Sequence, residues 1–271
     1  MDKRLLKATA RVAHVSLRGQ VTAERFSEGA ALRLVVPLAD LLNAPSGRRE
    51  RQLVTGEAFR VLDRDRGHAF GFAEKDGYCG WLAETALGAA PEPTHSVVTS
   101  GTHAYAEPRV QGRETLLPAG ALLTVTGGGE KFAQTNVGHV PAGHLRTIGD
   151  WLEDPVAVAE QFLGTPYLWG GNSRAGIDCS GLAQRALLAC GVACPGDSDL
   201  QEALGAEIPP DAPLQRGDLL FWRGHVALVV DQQRLIHANG HTMSVAHEGI
   251  AACIARILAQ DGGAVTHRRR L

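Results

Sequence analysis

The chain has 271 residues, enough for two or three units that each bury a core. Its 27 basic and 29 acidic side chains leave a formal charge of −2, which gives no bulk attraction for nucleic acid or an anionic membrane surface. Hydrophobic residues at 44% and charged residues at 21% are ordinary globular values, whereas 32 glycines point to many tight turns.

The opening MDKRLLKATARVAHVSLRGQ alternates charged and apolar residues and lacks the apolar core of a secretory signal. With no later stretch able to span a membrane, a cytoplasmic protein without a membrane partner is expected. The five cysteines, Cys79, Cys179, Cys190, Cys194 and Cys253, are then expected as free thiols. Cys190 and Cys194 have the spacing of half a zinc site, but no second ligand pair matches. No metal or other cofactor is predicted, and the pair reads as a helix end and its turn.

From about Arg33 to Leu87, the runs LRLVVPL, EAFRVL, HAFGFA and CGWL alternate with NAPSG, RDRG and KDGY, the pattern of a small all-β barrel. A weaker copy follows. ADLLNAP (39–45) is similar to THAYAEP (102–108), and QLVTGEAFRVL (52–62) to LLPAGALLTVT (116–126). Pro45 and Pro108 are 63 positions apart and Gly56 and Gly120 are 64 apart, the length of a duplicated domain rather than a solenoid repeat. Prolines in AAPEPTH (89–95) and the segment IGDWLEDP (148–155) mark boundaries. The predicted units are 1–90, an N-terminal arm with the first barrel; 91–149, the second barrel; and 150–271.

The last unit changes character. Asp154 and Pro155 read as N-cap and first helical residue, with Val156, Ala159 and Leu163 on one face before Gly164 stops the helix. A second helix fits SGLAQRALLACG, whose apolar positions recur every three or four residues until Gly191. DLLFW, HVALVV and RLIHA then form an antiparallel meander, so the unit is α+β. The closing HRRRL, His267 to Leu271, reads as a solvated basic tail.

Chemistry concentrates in this unit. In GIDCSG, Asp178 is placed to cap the helix and Cys179 falls in its first turn, where the positive end of the helix dipole favours a thiolate. His225 opens the strand HVALVV and is the candidate base, and His237 in RLIHAN is placed to fix its tautomer. Taken singly, Cys179 also suits a helix core and His237 a structural strand position. Gly170, Gly171 and Gly176 ahead of the helix tilt the reading toward a site, because such a run of glycine is costly unless backbone must approach something closely.

Three blocks in order, PYLWGGNSRAGIDCSGL, RGDLLFWRGHVAL and LIHAN, with 46 positions from Cys179 to His225 and 12 more to His237, resemble the NlpC/P60 cysteine peptidases from about Val156 to Arg256. The resemblance implies a papain-like fold with Cys179 as nucleophile, His225 as general base and His237 as the polar third member. The barrels resemble the bacterial SH3 domains that precede this domain in the γ-D-glutamyl-L-diamino acid endopeptidases. The fold implied is an α+β papain-like catalytic domain preceded by two small all-β SH3-like barrels.

That branch cleaves cell-wall (murein) stem peptides after γ-D-glutamate, requires a free N-terminal L-alanine and releases L-Ala-D-Glu. By resemblance, Tyr167, Trp169, Asp178, Ser180 and Ser198 line the substrate site, and Glu57 in LVTGE and Tyr78 in DGYCGW close its amino-terminal pocket. Glu57 and Asp178 would hold the substrate ammonium by charge-assisted hydrogen bonds. The second barrel has Ala121 in place of Glu57, as expected if the carboxylate serves function rather than barrel stability. Asp178 also suits a purely N-capping role, and Tyr78 a place in the barrel core. The expected partner is a murein peptide and the expected role is its recycling. The rival readings are a non-catalytic wall-binding protein, and an amidase or acyltransferase on the same fold.

Overall fold

A computed structural model describes residues 1–271, which fall into two units, Met1–Ile148 and Gly149–Leu271. No helix is long and apolar enough to cross a membrane.

In the first unit the leading barrel is a seven-stranded antiparallel sheet in the order 49–54, 38–42, 79–83, 68–73, 58–65, 30–34 and 87–88. Inward-facing Leu34, Leu41, Leu53, Phe59 and Leu82 fill its core. The strands begin at Ala30, slightly earlier than the sequence pattern indicates, and the arm before them is also structured. Val12–His14 pairs in parallel with Arg25–Ser27, and Val12 is buried against Leu62, Phe70 and Phe72. Buried Asp63 anchors that arm through Arg11 at 2.9 Å and Arg25 at 3.6 Å.

The second barrel consists of a three-stranded sheet, with 95–97 between 122–123 and 145–147, and a five-stranded sheet in the order 114–118, 101–105, 138–141, 132–135 and 125–128. The duplication persists at the level of single hydrogen bonds. Gly56 N–H donates to Leu34 O, and Gly120 N–H to Val97 O, both at 2.8 Å. Leu34 N–H donates to Glu57 O at 3.0 Å, and Val97 N–H to Ala121 O at 2.9 Å. Both glycines have φ near +80°, at +81° and +74°, a left-handed conformation that a side chain resists. Glu57 and Ala121 therefore occupy equivalent backbone positions.

In the second unit, α1 (Pro155–Glu160) is capped by Asp154, whose Oδ1 accepts from the N–H groups of Val156 and Ala157. It ends before the expected stop at Gly164. The chain leaves the helical path after Glu160, so Phe162 is buried where Leu163 was expected, and Leu163 faces solvent. Helix α2 (Cys179–Ala189) closes as foreseen at Gly191, with φ +76°. Val192 N–H donates to Leu187 O and Gly191 N–H to Leu188 O, the paired bonds of a Schellman cap. Cys190 is the C-cap residue and Cys194 is buried just beyond it; all five cysteines are free thiols. Helix α3 is a single turn, Ser198–Gln201.

The sheet strands are β1 (Leu219–Trp222), β2 (His225–Val229), β3 (Arg234–Asn239) and β4 (Ser244–Gly249), followed by α4 (Ile250–Ala259) and β5 (His267–Arg270). Their order is the edge strand 206–207, then β5, β1, β2, β3 and β4. Apolar side chains of β1 to β3, including Trp222, Ala227 and Leu235, pack on Ile250 and Cys253 of α4. β5 corrects the sequence reading, because the basic tail is a strand paired antiparallel with β1. Arg270 forms a two-pronged ion pair with buried Asp218 at 2.8 and 2.7 Å, so the segment's place in the sheet depends on charge rather than apolar alternation.

Candidate active site

Cys179 heads α2, and its Sγ lies 4.0 Å from the carbonyl oxygen of Gly224, the residue before His225. Gly224 completes the two-residue β1–β2 turn with φ +74°, so a tight hairpin holds His225 beside the head of α2. His225 Nε2 is 2.8 Å from His237 Nδ1 on the adjacent strand. That contact engages Nε2 and leaves Nδ1 as the other ring nitrogen of His225. Trp222 flanks the base at 5.8 Å between ring centroids.

The network does not stop at His237. Its Nε2 is 3.1 Å from Glu248 Oε2 on β4, within ion-pair distance. Glu248 is in turn gripped by Arg256 of α4, at 2.9 Å from Nε and 2.7 Å from Nη2. Hydrogen bonding to Arg256 lowers the Glu248 carboxyl to about 2, so it is an anion that only accepts. An anion there favours the N–H of His237 on Nε2. The Nδ1 lone pair then accepts from His225 Nε2–H, which leaves the Nδ1 lone pair of His225 available for the thiol proton. Burial pushes both imidazoles well below their ordinary range, and a neutral imidazole is the form a base needs.

Glu248 and Arg256 were missed in the sequence. Neither lies in a motif, and only the β3–β4 register, Leu235 opposite Glu248, places the carboxylate on the histidine face. Glu248→Gln is expected to lower kcat about tenfold with little change in KM, well short of losing an orienter bonded directly to the base. Its acid limb should move to lower pH, since the Glu248 charge raises both histidines. Steady-state rates followed from pH 8 down to about pH 3 check both effects.

Asp178 is the helix N-cap. Its Oδ1 accepts from Gly181 N–H and Ser180 Oγ–H at 2.6 and 3.1 Å, and its Oδ2 from Gly170 N–H at 2.8 Å. Tyr167 is half-buried beside it, and burial, then the neighbouring Cys179 and Asp178, raise its phenol. Trp169 is exposed, while Ser180 and Ser198 are buried. The buried Gln201 donates to Ser180 O and Pro195 O at 3.0 and 2.9 Å, and Gln184 donates to Cys194 O at 2.9 Å. These two glutamines, also missed, stitch the loop that carries Ser198 to the nucleophile helix.

The glycine run packs against its own chain: a Cβ on Gly176 would meet the Leu168 side chain at 2.5 Å, and Gly171 lies against backbone. A Cβ on Gly171 would meet Gly176 O at 2.5 Å, and one on Gly181 would meet Gly171 O at 2.6 Å. In the first unit, Glu57 is buried with Oε1 2.6 Å from Lys75 Nζ and Oε2 accepting from Val54 N–H at 3.2 Å. Its charge is already answered by an ammonium. Tyr78 belongs to the barrel core.

A first-turn cysteine, a buried histidine pair and an antiparallel sheet are the arrangement of a papain-like fold. Residues 164–253 match the NlpC/P60 family and residues 41–87 the bacterial dipeptidyl-peptidase Sh3 domain, so the chain carries an NlpC/P60 papain-like domain behind an SH3-like all-β region. Among curated relatives, "Dipeptidyl-peptidase 6" of Lysinibacillus sphaericus is 42% identical over 87 residues, 32% of each chain. "Gamma-D-glutamyl-L-lysine dipeptidyl-peptidase" of Bacillus subtilis (strain 168) is 38% identical over 94 residues, 32% of this chain and 31% of that one. The chain spans about a third of the length of these curated relatives. The crystal structure of an NlpC/P60 family protein from Bacillus cereus ATCC 10987 shares the fold, with a TM-score of 0.78 at 20% identity over 89% of this chain and 99% of that chain.

Proposed function

We propose that the protein is a cysteine endopeptidase that hydrolyses the bond between γ-D-glutamate and a diamino acid in murein peptides with a free N-terminal L-alanine, releasing L-Ala-D-Glu. The Cys179–His225–His237 network carries this reading, together with relatives whose names specify γ-D-glutamyl-L-lysine dipeptidyl-peptidase activity. Neutral His225 accepts the Cys179 thiol proton at Nδ1 as sulfur attacks the γ-glutamyl carbonyl. The oxyanion is held by the Cys179 backbone N–H at the positive end of α2. The imidazolium then gives its proton to the departing amine, and water attacking the thioester regenerates the thiol.

An enzyme that needs this amine free acts on peptides already released, so the role that goes with this reading is recycling. Asp178, beside Cys179 at the head of α2, supplies negative charge for that amine.

The test is incubation with L-Ala-γ-D-Glu-meso-diaminopimelate and its N-acetylated form, with Cys179→Ala as control and products identified by mass. Release of L-Ala-D-Glu from the free-amine peptide alone, absent in the control, is the expected result. Cleavage of both peptides would remove the amino-terminal gate, and cleavage of neither would overturn the peptidase reading.

A further inference from the structure

One wall of an open cleft of about 400 Å³ is formed by the base itself. Around it stand Trp222, Arg223, His225, Asn239, His241 and Arg256, and no carboxylate lines it. Arg256 is neutralised by Glu248 behind the wall. Arg223 is different: it is exposed in the β1–β2 turn and makes no hydrogen bond or ion pair. It adjoins Gly224, whose carbonyl meets the nucleophile, and sits two residues before the base. On the other lip, Asn239 Oδ1 accepts from the N–H groups of His241 and Thr242 at 3.0 and 2.8 Å, holding the turn that presents exposed His241.

A guanidinium is a fork of donors with no acceptor, so a free one on an acid-poor wall suits a carboxylate. The reaction says which carboxylate passes there. His225 must hand a proton to the departing amine, so the amine-bearing half of the substrate runs along the His225 wall.

We propose that this cleft is the subsite for the residue released on the amine side, and that it selects a residue with a free carboxylate, held by Arg223 with His241 as a second donor. The inference rests on the peptidase reading above. Two carboxylates have this chemistry: the α-carboxylate of a residue that ends the peptide, and the side-chain carboxylate that meso-diaminopimelate has and lysine lacks.

Three peptides separate these sources: L-Ala-γ-D-Glu-L-Lys as free acid, the same peptide as C-terminal amide, and L-Ala-γ-D-Glu-meso-diaminopimelate with its α-carboxyl amidated. kcat/KM is measured for each with wild type and Arg223→Ala. At least one carboxylate-bearing peptide should exceed the lysine amide by about tenfold, the factor for one partly screened charge-assisted hydrogen bond. Arg223→Ala should erase that ratio, and the peptide that loses its advantage identifies the carboxylate. Equal rates for all three with wild type, or an equal fall for all three in the variant, would overturn the subsite while leaving the peptidase intact. Failure of wild type to cleave any of them would overturn the peptidase reading and the subsite with it.

Discussion

Replacing His237 with alanine is expected to lower kcat/KM about a thousandfold, because the base then loses the acceptor that fixes its tautomer. With His237 present, His225 Nε2–H points at a lone pair and Nδ1 is free for the thiol. Without it, nothing favours that tautomer, and the imidazolium formed during attack loses its neighbour. His237→Asn should retain far more activity, since an amide oxygen can accept from the same N–H, as in the Cys-His-Asn arrangement. His237 is fully buried, so each variant's melting temperature must be measured beside its rate. A variant that melts like wild type yet loses activity separates orientation from packing. Equal rates for the alanine and asparagine variants would refute the tautomer argument.

The same burial predicts how stability responds to pH. Both imidazoles have folded-state pKa values below the ordinary value of about 6.5, so the unfolded chain binds protons that the folded chain refuses. Stability is therefore complete above pH 6.5 and falls as pH drops below it. Urea midpoints at pH 7.5 and 5 should differ more for wild type than for His237→Ala, which has one fewer imidazole refusing a proton.

Much of this was legible in the sequence because periodicity and local caps are local physics. Asp154 with Pro155, Asp178 and Gly191 each declare a helix end within three residues, and the three motif blocks carry Cys179, His225 and His237, of which the two histidines meet on adjacent strands. Glu248 was illegible for the opposite reason. Its role comes from cross-strand register and from α4 folding back over the sheet, and neither leaves a spacing signal. The meaning of the glycines was read too narrowly, since close approach was foreseen but its object is the chain itself. Val12–His14 escaped notice because it forms a short parallel pair with little alternation to mark it.

The tail was misread most plainly, and its correction carries the largest stability prediction. HRRR has no apolar side chain, so hydrophobic patterning assigns it to solvent. Yet Arg270 is the two-pronged partner of Asp218, whose side chain is 2% exposed and also accepts from Gln215 N–H at 2.7 Å. Arg270→Ala strands a buried carboxylate. Removing the partner of a buried carboxylate is destabilising, and the exposure of Arg270 tempers the loss. The expected result is a fall of several degrees in the melting temperature of the second unit. Three of the four tryptophans, Trp151, Trp169 and Trp222, belong to the second unit, so fluorescence of the full chain follows its unfolding. Asp218→Asn in the Arg270→Ala background should recover part of the loss, because the stranded charge is gone. If Arg270→Ala melts within a degree of wild type, the tail contributes no net stability through this pair, and β5 is held by its backbone ladder alone.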